Sequence, residues 1–192
     1  MHIIYLHGFC SSAASFKAQQ VKEFIDQQEA HSLYLVDLPY APAEAMALVE
    51  SHIASLDDPN WGLIGSSLGG FYASYLGDKY GKKAVLINPA VRPHLLLEAV
   101  LGENNNYHSN QTFVFTKQHL TQLQAMYRPR LQQPSDMLLL SQTADEVLDY
   151  RQGVDYYQGS EQIVITGGSH AFDGYEKFLD KTVNFLMNGV GW

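Results

Sequence analysis

Cysteine is nearly absent from this chain of 192 residues, which has one, Cys10. No internal disulfide can form, and metal sites built on two or four cysteines are excluded. Positive charge is scarce too: 12 Lys and Arg stand against 20 Asp and Glu, a net of −8, with no Lys/Arg cluster. Such a chain is a poor partner for nucleic acid or an anionic membrane, because both are met by positive charge. Long apolar runs are missing, and no stretch approaches the ~20 residues of a membrane helix. Residues 1–9 are apolar but short and lack a basic leader, so they read as a strand and not as a signal peptide. The expectation is a soluble cytoplasmic protein with one domain over 1–192, a length that buries roughly 70% of the unfolded surface.

What is present is an alternation of short apolar runs with longer amphipathic segments. The runs are 2–6, 33–36, 61–64, 84–87, 137–140 and 162–165. Apolar on both faces, they suit strands of a parallel sheet covered on both sides. The segments between them, 15–28, 43–56, 68–80, 147–157 and 172–187, carry helical spacing. This rhythm predicts an α/β fold with right-handed crossovers. Residues 101–134 break it. Either an inserted flap over a site or a long crossover with one extra helix fits that length.

The sharpest motif is Gly65-Ser66-Ser67-Leu68-Gly69-Gly70, between an apolar run and an amphipathic segment. In that strand–turn–helix setting G-x-S-x-G is a nucleophile elbow. The serine holds strained dihedrals at a tight turn, and neighbours two residues away approach other backbone too closely for a side chain. Ser67, not Ser66, sits centrally between the glycines. A phosphate-binding turn is the rival reading, but no G-K-[ST] is present. A serine at the elbow also argues against dehalogenase chemistry, which needs aspartate there.

An oxyanion hole needs two converging backbone N–H groups. Leu68, after the nucleophile, supplies one. Phe9, in the loop after the first strand (Leu6-His7-Gly8-Phe9), supplies the other, and His7 is a candidate substrate contact. Cys10 beside this loop reads as a small structural thiol, since no base is suggested for it. A serine nucleophile needs a base and an orienting acid, in the chain order Ser, Asp/Glu, His. His2, His7, His31, His52, His94, His108 and His119 precede any late acid, which leaves His170 in Gly167-Gly168-Ser169-His170-Ala171. Asp145 follows the fifth run, with Glu146 and Asp149 as rivals. Thr143-Ala144-Asp145-Glu146 also matches a capping box for a following helix. Arg92 follows the fourth run, where it could hold an anionic substrate group or pair with an acid such as Asp149.

Five segments together carry a family resemblance: His7-Gly8-Phe9, Gly65 to Gly70, Asn88-Pro89-Ala90-Val91-Arg92-Pro93, Asp145-Glu146-Val147-Leu148-Asp149-Tyr150-Arg151 and Gly168-Ser169-His170-Ala171-Phe172. In order and spacing over almost the whole chain they resemble the small bacterial YqiA-like esterases. The resemblance implies a three-layer α/β-hydrolase fold trimmed to about six mostly parallel strands, in order 2-1-3-4-5-6, with helices on both faces. It implies Ser67, Asp145 and His170 as the triad, no cofactor and no metal. The implied substrates are small esters or thioesters, acyl-CoA among them. The chain departs from the family pattern at Ser169, where asparagine precedes the histidine. A serine peptidase, or a non-catalytic binding protein on the same fold, is the alternative.

Overall fold

In the computed structural model, which describes residues 1–106 and 111–188, a central six-stranded sheet has the order β2-β1-β3-β4-β7-β8. Its strands are β1 (His2–Leu6), β2 (Ser32–Leu35), β3 (Trp61–Ser66), β4 (Ala84–Ile87), β7 (Met137–Gln142) and β8 (Glu161–Ile165). Every neighbouring pair is parallel. Renumbered without the intervening hairpin, this is the order that the family resemblance implies.

Parallel strands buried on both faces alternate their side chains between two cores. Ile4, Leu6, Leu63, Leu86 and Leu139 enter one core, with α2 (Pro42–Ala54) and α3 (Leu68–Tyr80). Ile3, Tyr5, Ile64, Val85, Leu138 and Leu140 enter the other, with α1 (Phe16–Asp26) and α7 (Leu179–Asn188). Each fully buried aliphatic side chain contributes about 1.5–3 kcal/mol, which outweighs the weak helix propensity of α3, with its three glycines.

Segment 101–134 contains both a hairpin and a helix. After the short helix α4 (Pro93–Leu96), strands β5 (Gly102–Asn105) and β6 (Thr112–Phe115) form a separate antiparallel sheet, followed by α5 (Lys117–Met126). Phe113 and Phe115 face inward and Val114 outward, the alternation of a half-covered strand. His108 lies outside the described residues.

Two predicted helices shorten at their starts. Helix α6 (Tyr150–Tyr156) begins at 150, not 147, because the Val147 and Leu148 N–H groups donate to the Asp145 carboxylate and close a turn instead. The segment from 172 opens as a loop with Phe172 and Gly174 at positive φ and turns helical later.

Candidate active site

The elbow is the join of β3 and α3. Ser67 stands there at φ 57°, ψ −119°, a strained conformation for any side chain. It persists because the surroundings over-determine it. The Ser67 N–H donates to the Ile87 carbonyl at 3.0 Å, and the Ala90 N–H donates to the Ser67 carbonyl at 3.1 Å. A Cβ on Gly65 would lie 2.1 Å from the Gly69 carbonyl oxygen, and one on Gly69 would lie 1.9 Å from that of Leu6. Both glycines are therefore demanded by close backbone approach.

His170 reaches across from the loop after β8. Its Nε2 lies 3.0 Å from the Ser67 hydroxyl and its Nδ1 2.8 Å from Asp145 Oδ2. The network sets the tautomer: Nδ1–H donates to the carboxylate, leaving Nε2 to accept from Ser67. The Asp145 side chain is 2% exposed and that of His170 22%. Burial alone would raise the Asp145 pKa, but hydrogen bonds from His170, Leu148 and Val147 outweigh it and hold the carboxyl below its ordinary value. The rival acids have other work. Glu146 accepts the His170 backbone N–H at 2.9 Å. Asp149 caps α6 through the Arg151 N–H and pairs with the Arg151 side chain at 2.8 Å. The capping-box reading is thus corrected: the cap is Asp149, and the Asp145 carboxylate is committed to its own turn and to His170.

Two buried amides, neither given a role by the sequence motifs, hold the histidine loop. Asn88, at φ 40°, donates from Nδ2 to the Ser169 and His170 carbonyls, while its Oδ1 accepts the Gln142 N–H. Gln142 accepts the Ser169 and Asp173 N–H groups at Oε1 and donates from Nε2 to the Asp173 carbonyl. A Cβ on Gly168 would sit 2.0 Å from Gln142 Oε1, so the loop is pressed onto this amide. The sequence signal is a polar Ser-Gln pair ending an otherwise apolar, fully buried strand. Ser169, the departure from the family pattern, bonds Asp173 through its hydroxyl at 2.8 Å.

The Phe9 and Leu68 backbones flank Ser67. Leu68 is the first residue of α3, so its N–H has no helix carbonyl to meet. A Cβ on Gly8 would be 3.2 Å from Ser67 Cβ, which places the Phe9 loop directly against the serine. The hairpin braces that loop. The Phe9 ring meets Phe113 and Phe115 edge-on, with centroids 5.8 and 5.2 Å away. Asn106 donates to the Ser11 carbonyl.

One expected contact changes role, and one expected ion pair does not form. His7 is 4% exposed, donates from Nδ1 to the Gly8 carbonyl and accepts the Leu38 N–H at Nε2. With both ring nitrogens committed, it braces the loop and offers no polar atom to a ligand. Arg92 is exposed and forms no ion pair with Asp149, which is engaged by Arg151. Cys10 has no bond to His170, and burial pushes its thiol pKa up, away from the reactive thiolate.

One space opens beside Ser67, and a second lies behind the Phe9 and Leu68 backbone. On the His170 side is a cleft of about 350 Å³ whose walls include Phe16, Lys17, Ser15 and Glu146. Beyond the Phe9 and Leu68 backbone is a cavity of about 30 Å³, closed by Tyr40, Tyr72 and Phe113. No group of three metal-ligating side chains occurs among the described residues, nor any helix long and apolar enough to cross a membrane.

A model of the uncharacterised protein family UPF0227 matches residues 2–187. The UPF0227 protein of Vibrio cholerae serotype O1 (strain M66-2) is 30% identical over 113 residues, 57% of this chain and 63% of that protein. That of Shewanella oneidensis is 29% identical over 111 residues, 55% of this chain and 60% of its own. The match thus spans less than two thirds of these relatives. Among solved structures, alpha/beta hydrolase domain-containing protein 10 from mouse superposes with a TM-score of 0.75 at 17% identity, covering 97% of this chain and 89% of that one. The monoacylglycerol lipase of Paleococcus ferrophilus gives 0.75 at 16%, covering 98% and 95%. Est1E from Butyrivibrio proteoclasticus with ferulic acid bound gives 0.73 at 14%, covering 98% and 88%. At such identities the likeness is one of fold, and the fold is that of the α/β-hydrolases.

Proposed function

Since the chain belongs to the UPF0227 family, whose name carries no activity, we propose its function from the site: a serine hydrolase that cleaves carboxylic esters or thioesters of small acyl groups. The observation that supports this reading best is the unbroken chain from Asp145 through His170 to Ser67, at a strained elbow beside the Phe9 and Leu68 N–H groups. The fold neighbours named as esterases and lipases agree with it.

The steps follow from the atoms. Ser67 Oγ attacks the acyl carbon as its proton passes to His170 Nε2. Asp145 stabilises the imidazolium and fixes its orientation, and the Phe9 and Leu68 N–H groups receive the oxyanion. His170 returns the proton to the leaving oxygen or sulfur, which departs and leaves an acyl-serine. Water then attacks the acyl carbon, giving its proton to His170, which passes it to Ser67 Oγ as the acyl–oxygen bond breaks and the carboxylic acid leaves. No cofactor enters these steps. Acyl-CoA thioesters fall within this chemistry.

The leaving group must lie where His170 Nε2 can protonate it, in the larger cleft. The acyl group then points the other way, past Leu68. The 30 Å³ there is about twice what one water requires. Acetyl to butyryl esters of p-nitrophenol should therefore be turned over, with kcat/KM falling by about tenfold or more at octanoyl, since a chain with no room past Leu68 displaces the acyl carbon from Ser67. A chain-length series measures this, and a rise in kcat/KM out to long acyl chains would refute the small-acyl reading.

The amide brace gives a second expectation. Asn88→Ala frees the carbonyls of Ser169 and His170 and leaves the Gln142 N–H unmet, so the imidazole loses its fixed place. Because a misplacement of 1 Å costs about 10²-fold, kcat should fall by about that factor with KM little changed. Steady-state kinetics beside a thermal melt would separate this from simple unfolding.

A further inference from the structure

The cleft that would hold the leaving group is chemically distinctive. Its rim carries Phe16, 78% exposed, and its wall carries Lys17. These are the first two residues of α1, a helix with no acidic residue in its first turn. A cation there opposes the helix dipole, and an exposed phenyl ring adds little to stability. The stability of α1 alone would select neither residue, and both line the cleft that Ser67 lines.

Lys17 is half-buried, and its Nζ donates to the Ala171 carbonyl at 2.7 Å. No carboxylate lies within ion-pair distance of it among the described residues. Two of its ammonium hydrogens are thus available to a ligand. Burial lowers its pKa, while the more distant Asp145 and Asp173 act in the other direction. An anion arriving beside it would offset the desolvation that the cation already suffers. The other charged wall residue, Glu146, has its Oε2 turned onto the His170 backbone N–H and so is tied to the loop.

We propose that this cleft is a leaving-group seat for an alcohol or thiol that carries an anionic group, with Lys17 meeting the charge and Phe16 the apolar body. The proposal rests on the hydrolase reading and adds a substrate class to it. Lys17 is the specificity residue, and Ser67 and His170 remain the groups that react.

The test compares 4-acetoxybenzoate with 4-acetoxybenzamide, which share an acyl group and differ in the charge on the leaving group. A charge-assisted hydrogen bond from Lys17 should make wild-type kcat/KM about tenfold higher for the benzoate. Lys17→Gln, which keeps a donor for the Ala171 carbonyl, should bring that ratio down to about one, mostly through KM, and Lys17→Arg should preserve it. Raising the salt from about 0.05 to 0.5 M should also shrink the wild-type ratio. A wild-type ratio near one, or a preference that survives Lys17→Gln, overturns the proposal. The wild-type ratio and its salt response need no variant, so they decide the matter even if a substitution destabilises the fold. Ser67-dependent turnover of the benzamide without any preference leaves the hydrolase reading standing and removes this one. Failure to cleave either ester while p-nitrophenyl acetate is turned over overturns this proposal alone, and failure on all three removes both.

Discussion

Ser67→Ala should lower kcat/KM for p-nitrophenyl acetate by about 10⁴-fold or more while leaving the melting temperature within a few degrees of wild type. The size follows from what remains. Among the described residues the Ser67 hydroxyl has one hydrogen bond, to His170 Nε2. No neighbouring nucleophile can replace it. Ser66 is buried at 6% exposure as the last residue of β3, and the Cys10 thiol is not bonded to His170. The Phe9 and Leu68 N–H groups survive the substitution, so a residual rate above background is expected from oxyanion binding alone. A fluorophosphonate should label the wild type at Ser67 and leave Ser67→Ala unmodified. Residual activity within tenfold of wild type would sink the nucleophile assignment. His170→Ala should fall into the same range, and the double variant should be little worse than either single one, because the groups act as a unit.

The parts of this molecule that can be read from the chain are those fixed by local physics. Strands β1 and β4 have the bounds read from sequence, His2–Leu6 and Ala84–Ile87, because burial on both faces turns a strand into an unbroken apolar run. The elbow is legible because Gly65 and Gly69 answer a steric demand within four residues. His170 is legible by chain order, as the one histidine after the last apolar run. The amide brace was not legible in that way. Asn88 and Gln142 lie 54 residues apart, and Asn88 stands 82 residues from the His170 carbonyl that it holds, so no window along the sequence shows their partnership.

The errors have the same root. Thr143 to Glu146 is a sound capping box by pattern, but the Thr143 hydroxyl accepts the Gly167 N–H and the Glu146 carboxylate accepts the His170 N–H, 24 residues on, so the helix start moves to Asp149. Arg92 and Asp149 look like an ion pair until Arg151, two residues from Asp149, takes the carboxylate. His7 looks available for a ligand until the Leu38 N–H occupies its second nitrogen. In each case a polar group had two possible partners, and tertiary geometry chose. The hairpin of 101–134 was obscured for another reason. Strand β5 (Gly-Glu-Asn-Asn) has no apolar face, so its pairing depends on β6 and on Phe113 and Phe115 closing over Phe9.

Gly69→Ala should be among the most damaging single-methyl additions in the chain, and it should act on folding before it acts on chemistry. The new Cβ would lie 1.9 Å from the Leu6 carbonyl oxygen, 2.5 Å from its carbon and 2.6 Å from the His7 carbonyl oxygen. All three are backbone atoms, at the end of β1 and the start of the loop that carries Phe9, so no side-chain rotation relieves the overlap. Relief requires α3 to lift away from the strand order β1-β3-β4, where β4 is buried throughout and β1 is buried from Ile3 to Leu6. We expect a loss of more than about 4 kcal/mol, seen as a melting temperature lower by about 8–16 °C or as insoluble protein. Gly153→Ala is the matched control. Its Cβ, inside α6, would meet Leu139 at 3.7 Å, ordinary van der Waals contact. There the gain in helix propensity should hold stability level or raise it by up to about 1 kcal/mol. Thermal or chemical denaturation of the two variants side by side decides whether Gly69 answers a steric demand or only a general preference for a small residue. If Gly69→Ala melts within about 3 °C of wild type, less than about 1.5 kcal/mol for a chain of this size, the elbow tolerates a shift that its packing argues against.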